Sequence, residues 1–320
     1  MSVINGSIIN ALKQKISKPV TTDVSLAKIS NWRVGGNARV LVQPSSEEEI
    51  VALRKFIAKH QLPFLIIGNT TNLLFTDEDI DAVVIQIGSA FSEVKRSGNT
   101  LVAQAGVWVP KLARFALQAG LTGIEHTCGI PGTLGGLVVM NGGSQRKGIG
   151  DSVQFVETLD SSGELHRYSR EECGFAYRHS VFQSKDEIII RVGLKLEKAK
   201  DKKAVHQEML QILRDRSQKF PRKDPNCGSV FVSNPAMYEQ FGSPGNVREE
   251  CRLKGFIHGG AQISPQHANF IVNKSYAKTS DILYLIKLIR NKVYEKTGYL
   301  MEVEAKYISE KAEVVNIANL

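Results

Sequence analysis

Two glycine-bearing segments carry the first chemical signal in this chain. Gly68 opens GNTTNLL directly after the apolar run LPFLIIG (62–68). Gly129, Gly132, Gly135 and Gly136 recur within eight residues, just ahead of an apolar, helix-like run. Glycine lets a backbone approach a ligand closely and adopt positive φ, so successive N–H groups can converge on an anion. A helix N-terminus behind such a loop adds about half a positive charge. Asn69, Thr70, Thr71 and Asn72 add neutral donors. Phosphate binding is the chemistry such loops serve; tight turns and close helix packing are the alternative. Neither segment reads G-x-x-x-x-G-K-[ST], and no G-x-G-x-x-G follows an early strand. The P-loop and the dinucleotide fingerprint are therefore not indicated.

The composition sets bounds on the partner. The chain has 320 residues, with 41 Lys plus Arg against 32 Asp plus Glu, a net charge of +9. Hydrophobic residues make up 42% and charged residues 23%, which excludes a disordered or collagen-like chain. Such a charge suggests anionic partners: nucleic acid is one option, although basic residues are interleaved with acids along the chain, and small multiply phosphorylated ligands fit the charge equally well. The four cysteines form no CxxC pair, so reduced thiols are expected, with no metal site and no disulfide framework. No apolar run approaches the roughly 18 residues that span a bilayer. The N-terminus lacks an apolar signal region. A cytoplasmic protein without membrane insertion is expected.

These loops need elements to hold them. Ser45, Ser46, Glu48 and Glu49 form overlapping S-x-x-E boxes, so a helix should begin near 47, with Ile50, Leu53 and Ile57 on its buried stripe. Strands are read at 62–68, 82–87, 100–106 and 187–197. A helix from 109 should stop at Gly120 as its C′ residue. Residues 152–169 read as a hairpin turning at Ser161, Ser162 and Gly163. A charged amphipathic helix is expected over 201–219, then a strand at 268–273, a helix at 280–296 and a strand over YLMEVEAKYIS (299–309). Alternation there puts Met301, Val303, Ala305 and Tyr307 on one face and Glu302, Glu304 and Lys306 on the other. Strands and helices do not alternate regularly, so the fold class is α+β rather than a doubly wound sheet.

Seven segments in order now become specific: RVGGNARVLVQP (33–44), IIGNTTNLL (66–74), AGVWVPKLARFALQAGLTGIEHTCGIPGTLGGLVVMNGG (105–143), FAYRHSVF (175–182), NCGSVF (226–231), GGAQISPQHANFIVN (259–273) and YLMEVEAKYI (299–308). Together they resemble the MurB family of UDP-N-acetylenolpyruvoylglucosamine reductases, in the branch without the tyrosine loop. The resemblance implies a two-part FAD-binding region of the vanillyl-alcohol-oxidase-like (PCMH) type and a C-terminal α+β substrate domain. Applied to this chain, it implies a first FAD-binding subdomain at 1–88, a second at 89–200, and a substrate domain at 201–320 with a returning C-terminal strand. FAD would be held noncovalently by main-chain amides. Ile67, Gly68, Asn69, Thr70, Thr71, Asn72 and Leu73 would wrap its diphosphate. Gly129, Ile130, Pro131, Gly132, Gly135, Gly136 and Asn141 would lie on the flavin side.

The family reaction reduces an enolpyruvyl ether in peptidoglycan synthesis. A hydride from NADPH reaches the substrate's C3 by way of FAD, charge develops at C2, and a proton must then reach C2. By the same resemblance Arg178 holds the developing enolate charge, Ser229 gives the proton, and Glu304 is the acid beside them. Tyr177, Asn234 and His267 would contact the UDP-sugar. His267 could equally be a core histidine. The implied partners are that substrate and NADPH, with no nucleic acid, and the implied state is a monomer. The chain departs from the family where SVFVSNP carries Val232 and Ser233 in place of a frequent Lys. It also departs where Gln183 replaces a frequent Lys, and where Gly68-Asn69 replaces a triple glycine. A related oxidase with covalently tethered FAD is a rival, but GNTTNLL holds no His or Cys for the tether. A catalytically silent sugar-nucleotide- or nucleic-acid-binding protein is the rival from another class.

Overall fold

The computed structural model describes residues 3–233 and 253–320. Asn234 and Cys251 lie outside them. The chain divides into two compact units. The first comprises Met1–Thr22, Val40–Asn69 and Ala82–Arg216, and the second Asp23–Arg39, Thr70–Asp81 and Ser217–Leu320. The division falls inside GNTTNLL, after Asn69.

In the first unit the helix Glu47–His60 begins where the capping boxes place it. Ser46 Oγ accepts the Glu49 N–H at 3.3 Å, and Glu47, Glu48 and Glu49 fill the first turn, where the helix dipole favours acids. Gln61, at φ 50°, ends it. Ile50, Leu53 and Ile57 are buried with Val40, Val42, Val83 and Ile85 in one core. The strand Phe64–Ile67 runs parallel to the strand Ile80–Gln86, which delivers Gly68 to the strand's C-terminal end. A five-stranded antiparallel sheet follows in the order Leu165–Ser169, Val153–Leu159, Ile188–Lys195, Thr100–Gln104, Val94–Ser97. The helix Val109–Gln118 ends as expected, with Gly120 at φ 70°.

The hairpin of that sheet turns where its sequence says. Asp160 Oδ1 accepts the Ser162 N–H at 2.8 Å and the Glu164 N–H at 2.9 Å, and Gly163 has φ 77°. Asp160 Oδ2 lies 3.0 Å from His166 Nε2. The His166 hydrogen bond, then those from Ser162 and Glu164, hold the Asp160 carboxyl well below its usual value. The same Asp160 contact raises His166. A raised His stabilises the fold below its unfolded pKa near 6.5 and loses that contribution as pH rises through the folded value. The depressed Asp contributes above about 3.9 and loses its contribution as pH falls through the folded value. Asp160→Asn should therefore flatten the alkaline decline above pH ~6.5 in thermal melts. An unchanged decline would contradict the pairing.

In the second unit the strands Ile257–His258, Ala261–Ile263 and Ile271–Asn273 form an antiparallel sheet. The helix Thr279–Thr297 buries Ile282, Leu285, Ile286 and Ile289 and stops at Gly298, φ 69°. Trp32 is fully buried and donates Nε1–H to the Ile271 carbonyl at 2.7 Å. A second sheet pairs Leu73–Phe75 in parallel with Lys306–Ile308, which pairs with Val314–Asn316.

Three segments differ from their sequence-based expectation. Only Lys306–Ile308 of 299–309 is a strand. Met301, Val303 and Ala305 are buried and Glu302 is exposed, so the alternation holds over 301–305; beyond it Tyr307 is only half-buried, like Lys306, and Ile308 is buried. Among the described residues the partner segment offers one bridge, Phe231 to Val303, flanked by Val232 N–H to Glu302 O (3.0 Å) and Glu304 N–H to Val230 O (2.8 Å). Burial thus accounts for the period of two over 301–305, where the described residues form no ladder. In 268–273 only Ile271–Asn273 is extended, because a turn closes before it, Phe270 N–H to His267 O at 2.9 Å. The polar loop after Gly68 also ends earlier than its sequence suggests, since Leu73 already begins a strand. Among the described residues no helix is long and apolar enough to cross a membrane.

Candidate active site

The first unit brings the two glycine segments together. A Cβ on Gly68 would strike Thr133 Oγ1. Thr133 Oγ1 caps the short helix Leu134–Val139 by accepting the Gly136 N–H at 3.4 Å. The glycine segment is docked by its own backbone: Val109 N–H donates to Gly132 O (3.0 Å) and Gly135 N–H to Ala105 O (2.8 Å). A Cβ on Gly135 would come within 3.0 Å of Ala105 Cβ. Gln86 Nε2–H donates to Gly68 O at 3.4 Å and fixes the entry to the loop. Ile67 and Gly132 are buried, Gly68, Asn69, Gly129, Ile130 and Gly135 are half-buried, and Pro131 and Gly136 are exposed. The Gly68 backbone lies so close to the Thr133 side chain that glycine at 68 is what lets the two segments meet, and an apposition of this kind fits a diphosphate held by peptide groups.

Asn141 links this cradle to Arg178. Its Nδ2 donates to Ala176 O at 2.8 Å, and its Oδ1 accepts the Gly150 N–H at 2.9 Å. Ala176 and His179 exchange two backbone hydrogen bonds of 3.1 Å, so Tyr177 and Arg178 form the tip of a tight turn. Gln183 Nε2 donates to Arg178 O at 2.9 Å and Val139 O at 3.1 Å, and Ser180 Oγ donates to the same Val139 O at 2.7 Å. Gln183 thus ties the arginine turn to the glycine helix. Tyr177 is 58% exposed, with the Arg178 guanidinium 5.4 Å from its ring centre.

The second unit assembles the other half of the expected set. Thr70 is buried at φ 55°, a conformation that costs a β-branched residue about 1–3 kcal/mol. It is held there by Oγ1, which donates to Ile29 O (3.0 Å) and accepts the Asn31 N–H (3.2 Å). Asn72 Nδ2 donates to Glu304 O at 3.0 Å, and Asn72 O accepts the Lys306 N–H at 3.0 Å. Thr71, Asn72, Leu73, Ser229 and Glu304 are half-buried. Ser229 follows Gly228, at φ 78°, whose N–H donates to Asn226 Oδ1 at 2.9 Å. Asn269 clamps the residues after Ser229: its carbonyl accepts the Val230 N–H, and its side chain exchanges two 2.9 Å bonds with the Phe231 backbone.

His267 is half-buried beside Phe220 and Phe270. Its Nδ1 accepts the Asn269 N–H at 3.1 Å, so the neutral ring carries its proton on Nε2. Asn234 lies outside the described residues.

Among the described residues, ten non-glycine positions have positive φ, and Thr70, Asn141 and Arg178 are three of them. Strained backbone gathers at sites that do chemistry. Sequence reading did not single out Gln183, Asn226 or Asn269 as supports. The available signal was polar residues inside otherwise apolar runs, such as the Asn of ANFIVN.

The comparisons agree across both units. Residues 38–169 match a model described as an FAD binding domain. Residues 220–308 match one described as the C-terminal domain of UDP-N-acetylenolpyruvoylglucosamine reductase. UDP-N-acetylenolpyruvoylglucosamine reductase 1 of Corynebacterium glutamicum is 44% identical over 306 residues, 96% of this chain and 91% of that one. The reductase of Heliobacterium modesticaldum is 38% identical over 291 residues, 91% of each chain. The crystal structure of MurB from Thermus caldophilus superposes with a TM-score of 0.75 at 31% identity, covering 90% of this chain and 98% of that one. The α+β class read from the sequence is borne out with it, and the chain belongs to the UDP-N-acetylenolpyruvoylglucosamine reductase family.

Proposed function

We propose that this chain reduces UDP-N-acetylglucosamine enolpyruvate to UDP-N-acetylmuramate with NADPH, as an FAD-dependent oxidoreductase of peptidoglycan synthesis. The observation that carries this reading is the 44% identity to a UDP-N-acetylenolpyruvoylglucosamine reductase over 96% of the chain.

Bound FAD supplies a hydride relay between NADPH and the substrate's C3. The chain's own residues do the rest. The loop at 67–73 and the segment 129–136, with Asn141, hold the cofactor through backbone amides. The planar guanidinium of Arg178 holds the substrate carboxylate as charge spreads into it from C2. The Ser229 hydroxyl hands a proton to C2. Glu304 works as a protonated or bridged acid, because a bare carboxylate beside the substrate's own would repel it. Tyr177, Asn234 and the Nε2–H of His267 contact the UDP-sugar. Residues 1–88 and 89–200 serve the cofactor and 201–320 the substrate, in a cytoplasmic monomer.

Purified protein should be yellow, release its flavin on acid precipitation, and oxidise NADPH at steady state only when the enolpyruvyl sugar nucleotide is present. A folded, colourless protein that takes up no FAD would end this reading. So would flavin that stays with the precipitate.

A further inference from the structure

We propose that Cys227 is a positioning residue: its thiol ties the Ser229 turn to the 70–73 segment, and Asn72 ties Glu304 to that same segment. The proposal rests on the reading above of 67–73 as the cofactor loop.

Cys227 Sγ lies 3.4 Å from Thr70 O and 3.4 Å from Leu73 O, so one S–H is shared between two carbonyls of the turn. Ser229 follows two residues later. On its other side Val230 O accepts the Glu304 N–H at 2.8 Å. Glu304 O accepts from Asn72 Nδ2 at 3.0 Å, and the Lys306 N–H donates to Asn72 O at 3.0 Å. The path therefore closes on itself: from the 70–73 turn through Cys227 to Ser229, through Val230 to Glu304, and through Asn72 back to the turn. In a closed circuit no member can shift without moving the others, so seating the turn on the cofactor seats both acids.

The chemistry of the thiol suits this position. Cys227 is packed with Trp32, Leu74 and Val230 in the core of its unit and behaves there as a small apolar group with one weak donor. Burial pushes its pKa up, which keeps the proton on sulfur and the donor intact.

The test uses holoenzyme carrying Cys227→Ala or Cys227→Ser, followed anaerobically. Cys227→Ala should retain its flavin and its rate of bleaching by NADPH. Recolouring by the enolpyruvyl sugar nucleotide should slow roughly tenfold, the effect of one net hydrogen bond. Cys227→Ser keeps a donor and should recover most of that rate. Equal slowing of both half-reactions would reduce Cys227 to a packing role and overturn the proposal. Unchanged recolouring in a flavin-bearing Ala variant would do the same.

Amide exchange provides a readout independent of turnover and of variant folding. Adding FAD to the wild-type apoprotein should slow exchange at 228–231 and at 302–306 together. Protection confined to 67–73 contradicts the circuit. Wild-type protein that bleaches but never recolours with this substrate sinks the functional reading instead, and the exchange result still decides the circuit.

Discussion

Ser229→Ala is expected to bleach normally with NADPH and then stay bleached when the enolpyruvyl sugar nucleotide is added. General acid catalysis contributes roughly 10²–10⁴-fold, and the recolouring rate should fall by that much. The structure explains why the loss should be confined to one half-reaction. The bonds that hold the Ser229 turn belong to its neighbours, Gly228 N–H on Asn226 Oδ1, the Cys227 thiol on Thr70 O and Leu73 O, and Val230 N–H on Asn269 O, so deleting the Ser229 hydroxyl removes none of them. Stopped-flow absorbance of each half-reaction checks this. Comparable losses in both would deny Ser229 the proton-donor role.

Gly68→Ala is expected to give folded protein with little flavin. The added methyl meets Thr133 Oγ1, which is buried and caps the helix Leu134–Val139. Either the loop moves away from the glycine segment or Thr133 rotates and abandons its cap, at about 1 kcal/mol. Adding Thr133→Ala removes the obstacle, so the double variant should regain part of the flavin that Gly68→Ala loses. Flavin content after gel filtration, with a thermal melt for folding, is the measurement. Full flavin loading in Gly68→Ala would show that the apposition of the two segments is not the cradle.

Local rules were legible wherever a short-range interaction decides the geometry. Ser46 before three glutamates, Gly120 after a helix and the Ser-Ser-Gly turn at 161–163 each act on their own neighbours, and each element stands where they place it. What escaped was decided at long range. The strand Leu73–Phe75 exists because Lys306–Ile308 lies beside it, more than 200 residues later, and no feature of NLLF signals that partner. The pattern of YLMEVEAKYIS reports the burial of 301–305 and not its hydrogen bonding, because one face is buried there beside a single bridge among the described residues.

The site divides in the same way. Glycine spacing singled out by physics alone the two segments that meet at Gly68 and Thr133. Arg178, Ser229 and Glu304 are common residue types with nothing local to set them apart, so their roles entered through the resemblance. The positive φ of Thr70 and Arg178 could not be foreseen, because neither is a residue that favours it; only their clamps, Asn31 with Ile29 and Gln183, hold them there.

The central claim is that electrons reach a vinyl ether through a flavin held by this chain. Titrating the oxygen-free holoenzyme with NADPH until its visible absorbance is lost, and then adding the enolpyruvyl sugar nucleotide, tests it in one cuvette. The account predicts that the yellow colour returns in proportion to substrate added, with UDP-N-acetylmuramate formed in equal amount. Absorbance that returns only on admitting air would contradict it.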